Sequence, residues 1–260
     1  REWIEMASKK VRRNRTLMVI AVLGLGTWGF VACSQQGTSS DPGGPFAPPL
    51  ASPPHVADMT LDQLAHSPIA ELADPAWVKT TSQQTGIPER ALTAYAGVAI
   101  GLSVVDPECH LSWNTLAGIG WVESHHGTIF GGKILPNGNM SEPIFGIPLD
   151  GKNDTKALPD FDDGNFDGTA EFDRAVGPMQ IVPPTWAAWH SDGNNDGYED
   201  GQNIDDSVLA SGRYLCYSGK DLATKQGWQD AIYAYNQVPK YLEDVANKAN
   251  EYASKVPATN

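Results

Sequence analysis

The chain has 260 residues, 41% of them hydrophobic and 19% charged, with a formal net charge of −13 at pH 7, which allows one folded domain of about 200 residues behind an N-terminal appendage. Six of the 18 basic residues (Arg1, Lys9, Lys10, Arg12, Arg13, Arg15) and only two acids (Glu2, Glu5) fall in the first 33 positions, so the remainder carries 12 basic and 29 acidic residues, a net of −17. A surface that acidic repels nucleic acid and anionic headgroups, whose binding needs clustered Lys and Arg, and nucleic acid is not expected as a partner.

The basic stretch runs into an uncharged apolar segment from Leu17 to Cys33. Basic, apolar, then small is the order of a secretory signal, with Met6 as a natural start for one of ordinary length. The run also reaches the lower limit for crossing a bilayer, so residues 1–33 are expected to serve as a signal or a retained membrane anchor. Phe30-Val-Ala-Cys33 resembles a bacterial lipobox, in which Cys33 becomes the lipidated first residue; Phe30 departs from the usual Leu. The expectation is an exported protein on the outer face of the cytoplasmic membrane or in the cell wall, lipid-anchored at Cys33, with cleaved secretion and a retained N-terminal helix as the alternatives. With Cys33 lipidated or removed, Cys109 and Cys216 are left to pair in an oxidising compartment, two buried free thiols being the alternative. No CxxC or Cys/His spacing points to zinc.

Residues 34–57 are rich in Pro, Gly and Ser and read as a semi-extended linker. Residues 58–257 remain as the folded domain, helical in period from about Met59. Pro88 suits the first position of a helix over 88–105, with Leu92, Tyr95, Ala96 and Ala99 along one face. Ser112 is placed to cap a second helix over 113–125. Residues 130–176 carry many Gly, Pro, Asn and Asp and predict long loops with room for a small β-hairpin. Helices resume over 184–190, 205–217, 228–235 and 239–255. The expected fold class is mainly α.

On the second of these helices, Leu116, Ile119 and Glu123 fall within about 60° of one another, flanked by Trp113 and Gly120. Glu123 therefore stands where a core residue belongs. Burial disfavours a carboxylate and raises its pKa, which keeps a Glu protonated long enough to act as a general acid near neutral pH. The alternative is a helix-end Glu turned to solvent or to a salt bridge. Gly118, Gly120 and Gly127 weaken the helix, which is tolerated where backbone or ligand must come close. His125 and His126 point about 100° apart on a helix and no HExxH is present, so zinc is not expected there.

Three blocks, Leu116-Ala-Gly-Ile-Gly-Trp-Val-Glu-Ser-His-His-Gly127, Asp173-Arg-Ala-Val-Gly-Pro-Met-Gln-Ile-Val-Pro-Pro-Thr-Trp186 and Ala234-Tyr-Asn236, stand in an order that resembles the soluble lytic transglycosylase superfamily. The nearest pattern is the membrane-bound lytic transglycosylase B type in its actinobacterial form, over about residues 86 to 245. The resemblance implies a lysozyme-like fold and cleavage of the β-1,4 bond between N-acetylmuramic acid and N-acetylglucosamine in peptidoglycan, leaving a 1,6-anhydromuramoyl end. It implies Glu123 as the single acid and base, Gln180 lining the sugar groove, and Tyr235 and Asn236 at the back of the cleft, Tyr235 orienting sugar or acid. No organic cofactor is implied. Pro184 departs from the more usual Ser and bears on the local turn.

Ordinary glycosidases use two carboxylates, and Asp167 or Asp173 would supply a second, giving a hydrolytic muramidase of the same fold. For Asp173 a helix-entry cap or a salt bridge to Arg174 is the simpler reading. A non-catalytic wall-binding lipoprotein is the third alternative. The segment Asp192 to Asp206 has oxygen ligands at positions one, three and five (Asp192, Asn194, Asp196) and Gly at six, the opening of an EF-hand calcium loop. Position twelve is Asn203, so Asp206 would have to close it. The resemblance implies a Ca2+ site here, with Asp192, Asn194, Asp196, the Tyr198 carbonyl and Asp206 as ligands. The similar run Asp160 to Asp167 lacks a closing acid and reads as a loop held by Asx turns. Trp121, Trp186, Trp189, Trp228, Tyr233, Tyr235 and Phe145 gather near the blocks; most are expected in the core, with Tyr235 the exception.

Overall fold

The computed structural model describes residues 44–152 and 155–256. The signal or anchor expected over residues 1–33, the expected lipidation site Cys33 and the first part of the expected linker lie outside the described residues.

Side-chain chemistry at the ends of the segments sets where helices begin. Thr60 and Gln63 form a reciprocal capping box that starts α1 (Leu61–His66). Asp74 accepts from the Trp77 amide and Pro75 takes the first position of α2 (Pro75–Thr85), which ends on Gly86 in the left-handed region. Beyond these come α3 (Glu89–Val105), α4 (Trp113–Ser124), α5 (Pro183–Trp189), α6 (Ile204–Gly219), α7 (Lys225–Tyr235) and α8 (Pro239–Lys255), with 3-10 turns at Ile69–Glu71 and Pro107–Cys109. The domain is mainly helical, as the periodicity predicts. Pro88 sits just outside α3 at its N-cap rather than inside it, and His125 leaves α4 in the left-handed region. No helix among the described residues is long and apolar enough to cross a membrane.

The core is built around α4, where residues 111–120 are all buried. It packs against α8, α3 and α6. Gly118 allows the approach of α8: a Cβ there would lie 2.9 Å from the Val245 carbonyl oxygen and 3.2 Å from the Ala249 Cβ. The backbones of α4 and α8 therefore meet almost directly, and the stripe Tyr241, Val245, Ala249 and Tyr252 of α8 is buried against them. Helix α3 is apolar nearly all round, as a helix enclosed by neighbours should be, with Ala94, Tyr95, Ala96 and Val98 wholly buried. Its start is tied to α6 by a two-pronged ion pair from Arg90 to the buried Asp205.

Two sequence readings need correction. Residues 44–57, read as part of a linker, lie against the helices: Ala47 is wholly buried and the Phe46 ring meets Trp228 edge-on with centroids 6.0 Å apart. The Leu50 amide donates to Ser112 Oγ at 3.1 Å, so Ser112, expected to cap α4, spends its hydroxyl on this strap and makes no cap hydrogen bond. Composition misled here because a few apolar side chains suffice to dock a Pro-rich segment. The second correction is the small hairpin in 130–176, which reduces to isolated antiparallel bridges such as Ile134 with Met140 and Pro159 with Phe172. Over 160–174 many of the loop amides that a ladder would need are taken by Asp side chains.

Cys109 and Cys216 form a disulfide joining the Pro107–Cys109 turn to the last turn of α6, across 107 residues of sequence. On the chain-entropy account, a loop that long stabilises the fold by about 4–5 kcal/mol. Replacing both by Ala is expected to lower unfolding free energy by about 3–5 kcal/mol, read as a lower denaturant midpoint with a steeper slope, since the unfolded chain without the cross-link exposes more surface.

Candidate active site

Glu123 lies in the last turn of α4, half-buried, on the apolar stripe predicted for it. Burial pushes its carboxyl up to about 7, while a hydrogen bond from Tyr241 acts in the opposite direction. That bond is short: the Tyr241 hydroxyl donates to Glu123 Oε1 at 2.5 Å. Tyr241 comes from the first turn of α8, and its ring lies parallel to that of Tyr235 with centroids 6.4 Å apart. Burial, followed by the charge of Glu123, raises both tyrosines well above the ordinary value, so both stay protonated hydroxyls.

The three sequence blocks meet through hydrogen bonds to two consecutive carbonyls. Ser124, next to Glu123, donates to the Pro178 oxygen at 2.6 Å, and Tyr235 donates to the Met179 oxygen at 2.7 Å. The 177–180 loop thus bridges the end of α4 to the end of α7. Ser211 of α6 completes the Tyr235 contacts at 2.9 Å. The loop itself is a tight turn closed by reciprocal amide bonds between Val176 and Ile181 at 3.0 Å.

Gln180 turns its amide nitrogen onto the Gly177 oxygen at 2.9 Å and holds a left-handed φ of 47°. Its Oε1 lies beside Gly146, where a Cβ would come within 2.9 Å. Asn236 caps α7 and accepts from the Val238 amide at 3.1 Å, shaping the turn that delivers Tyr241. Tyr235 was expected to orient sugar or acid; the hydroxyl bonded to the acid belongs instead to Tyr241. Ser124 and Tyr241 were not singled out in the sequence. Ser124 stood inside the quoted block beside the acid, whereas Tyr241 repeats at helical spacing with Val245, Ala249 and Tyr252 and reads as core.

His126 is buried between the Tyr95 hydroxyl at 3.0 Å and the Tyr252 hydroxyl at 2.8 Å. Burial, then the charges of His125 and Lys248, lower it to about 3, so it is neutral and donates through one ring nitrogen while accepting through the other. Gly120 is required here, since a Cβ would fall 2.0 Å from the Tyr95 oxygen. Trp121 is half out of the core and faces Lys248 at 4.5 Å.

The two proposed second carboxylates differ: Asp167 is taken up by its own loop, while Asp173 keeps one oxygen, Oδ2, without a hydrogen-bond partner among the described residues. Asp167 is wholly buried and accepts from the Arg174 and Thr169 amides at 2.7 and 3.0 Å. Asp173 accepts from the Phe161 amide at 3.0 Å. Arg174 donates to the Asp167 carbonyl oxygen, not to Asp173, so the salt bridge read for Asp173 does not form.

In the 192–206 loop, Asp192 accepts from the Asp196 and Gly197 amides and Asp196 from the Tyr198 amide. Asp206 is wholly buried, with Gly193 donating to one oxygen at 2.7 Å and Asp200 to the other at 2.8 Å. Burial raises it to about 7, the backbone bonds act against this, and the charge of Asp192 adds to the rise. Asn194 adds an oxygen that here accepts from the Asp196 amide, and among the described residues the acids of 192–206 do not come together as a three-carboxylate cluster, whereas Asp160, Asp162 and Asp173 do.

Comparison with family models, with curated proteins and with solved structures gave no match.

Removing the Tyr241 hydroxyl tests the geometry around the acid. Tyr241→Phe is expected to shift the ionisation of Glu123 upward, since the lost bond favoured the charged form. An accompanying fall in kcat of about tenfold with KM little changed is expected from the loss of a charge-assisted bond. An unmoved alkaline limb in the pH–rate profile would count against this placement of Tyr241.

Proposed function

We propose that the protein is a peptidoglycan lytic transglycosylase in which Glu123 alone serves as acid and base. The observation that carries this reading is one half-buried carboxyl, held near pKa 7 and hydrogen-bonded by Tyr241, at the junction of the three blocks. A group near 7 is matched to proton transfer in both directions at neutral pH. As acid, Glu123 gives its proton to the oxygen linking N-acetylmuramic acid to N-acetylglucosamine, and the C1–O bond breaks. As base, the resulting carboxylate takes the proton of the muramoyl C6 hydroxyl while that oxygen closes onto C1. The product is the 1,6-anhydro end, no water is consumed, and Glu123 is protonated again. Tyr241 donates to the carboxylate throughout and so steadies the ionised stage.

Hydrolysis by two carboxylates would need a partner about 5–9.5 Å away with a free oxygen edge. Asp167, the first candidate, has its carboxylate taken up by the amides of its own loop, which counts against it; Asp173 has one oxygen unbonded but is enclosed in the acidic loop of Asp160 and Asp162. Gln180 and Asn236 are proposed to line the glycan groove. A cation in the 192–206 loop, on Asp192, Asn194, Asp196, the Tyr198 carbonyl and Asp206, would have a structural role. The disulfide supports an oxidising, exported location, with attachment through Cys33 or an N-terminal helix and glycan strands as the partner.

Mass spectrometry of digested peptidoglycan tests the reading. New 1,6-anhydromuramoyl ends are expected; new reducing ends would replace it with a muramidase, and an absence of new ends with a wall-binding protein.

A further inference from the structure

The loop entering the 177–181 turn carries a second concentration of acids. Asp160, Asp162 and Asp173 each offer a carboxylate oxygen, and the three oxygens lie within 4.8 Å of one another. As the sequence reading of Asx turns expects, loop amides take some of the oxygens. Asp160 accepts from Asp163 and Gly164, Asp162 Oδ2 from Phe166, and Asp173 Oδ1 from Phe161, all at 2.9–3.0 Å.

Two oxygens are left over. Asp162 Oδ1 and Asp173 Oδ2 are buried and have no hydrogen-bond partner among the described residues. Asp173 as a whole is 0% exposed. A carboxylate removed from water without a donor or a cation is strongly disfavoured, and here it faces others of its own charge. Arg174 does not meet this charge, because its guanidinium donates to the Asp167 carbonyl oxygen and lies 4.1 Å over the Phe145 ring.

We propose that Asp160, Asp162 and Asp173 hold a divalent cation of calcium size, separate from the 192–206 loop. The donors are all oxygen, as hard cations require. Oxygens that all lie within 4.8 Å of one another fit inside the roughly 5 Å across a Ca2+ coordination sphere, and Ca2+ accepts the irregular geometry of a loop where Mg2+ demands a near-ideal octahedron. Asp160 and Asp162 are two residues apart, and the chain turns sharply at Gly164, whose φ is 69° and whose Cβ would sit 2.9 Å from the Thr169 carbonyl carbon. Asp173 returns from the far side of the loop, held there by the bond from its amide to the Leu158 oxygen at 2.9 Å. The cation thus staples both ends of the acidic loop, immediately before the segment whose carbonyls hold Ser124 and Tyr235. This inference is independent of the reaction assigned to Glu123.

The test is a CaCl2 titration by isothermal calorimetry on the full chain stripped with EGTA and carrying Asp192→Asn with Asp196→Asn, so that the other loop is weakened. One Ca2+ per chain is expected. Adding Asp173→Asn, or separately Asp162→Asn, is expected to weaken that event at least tenfold, with far-UV circular dichroism unchanged. Asp162 is only half-buried, so its substitution carries the test if Asp173→Asn fails to fold. No Ca2+ uptake by the Asp192→Asn/Asp196→Asn protein at about 10 mM, well above the range of weak extracellular sites, overturns the proposal. So does uptake that survives both Asp162→Asn and Asp173→Asn.

Discussion

Glu123→Gln is expected to abolish glycan cleavage, with a loss of at least ~10⁴-fold in kcat, the upper end for a single acid–base group, because in the proposed reaction one residue carries both proton transfers. Gln keeps the size of the side chain and still accepts from Tyr241, so the fold should persist and substrate should still bind. The parent enzyme should lose kcat/KM about tenfold per pH unit above pH 7, as the acid ionises. Stability gives an independent check with a definite sign. The folded carboxyl is raised from 4.5 to about 7, so its contribution is fully present below pH 4.5 and is lost as pH rises through 7. Gln cannot ionise, and the melting temperature of Glu123→Gln relative to the parent should therefore increase between pH 5 and pH 8. Undiminished cleavage by the variant would remove Glu123 from the mechanism; a flat stability difference would remove it from the buried environment described.

What the sequence reveals about this site follows from how local each feature is. The stripe Leu116, Ile119 and Glu123 lies within two helical turns, and a period of 3.6 is enough to put the acid on the inner face. Tyr241 is 118 residues away from Glu123, and its own helix shows only that it belongs to a buried face, not which neighbour that face meets. Tyr235 drew attention through the Tyr-Asn pair, yet its hydroxyl serves to hold Met179. The strap at Phe46 and Ala47 was hidden by the opposite failure. Its Pro, Gly and Ser content is a fair prior for a linker, but Trp228 offers it a ring to pack on. Nor does spacing distinguish an Asx-turn loop from a cation loop in 160–173: both ask for Asp at alternate positions, and only the burial of Asp173 separates them.

The same distinction between local and distant constraint explains the second large effect. Gly177 stands in the second sequence block with no role of its own read from it, but its φ is 76°, and a Cβ would lie 1.8 Å from the Gly201 carbonyl oxygen. Ala at this position therefore meets two penalties: a left-handed conformation unfavourable by about 1–2 kcal/mol and a clash with backbone that no rotamer change relieves. Either the loop or the Gly201 turn has to move. The loop is less free to move harmlessly, since Pro178 and Met179 accept from Ser124 and Tyr235, and Ser124 is bonded in sequence to the acid. A displacement of about 1 Å passed to the reacting groups costs on the order of 10²-fold in rate. Gly177→Ala is accordingly expected to lower kcat/KM by about 10² and to melt earlier, while the helical circular dichroism persists because the core around α4 is untouched. Full activity in that variant would mean that the 177–180 loop does not set the position of Glu123.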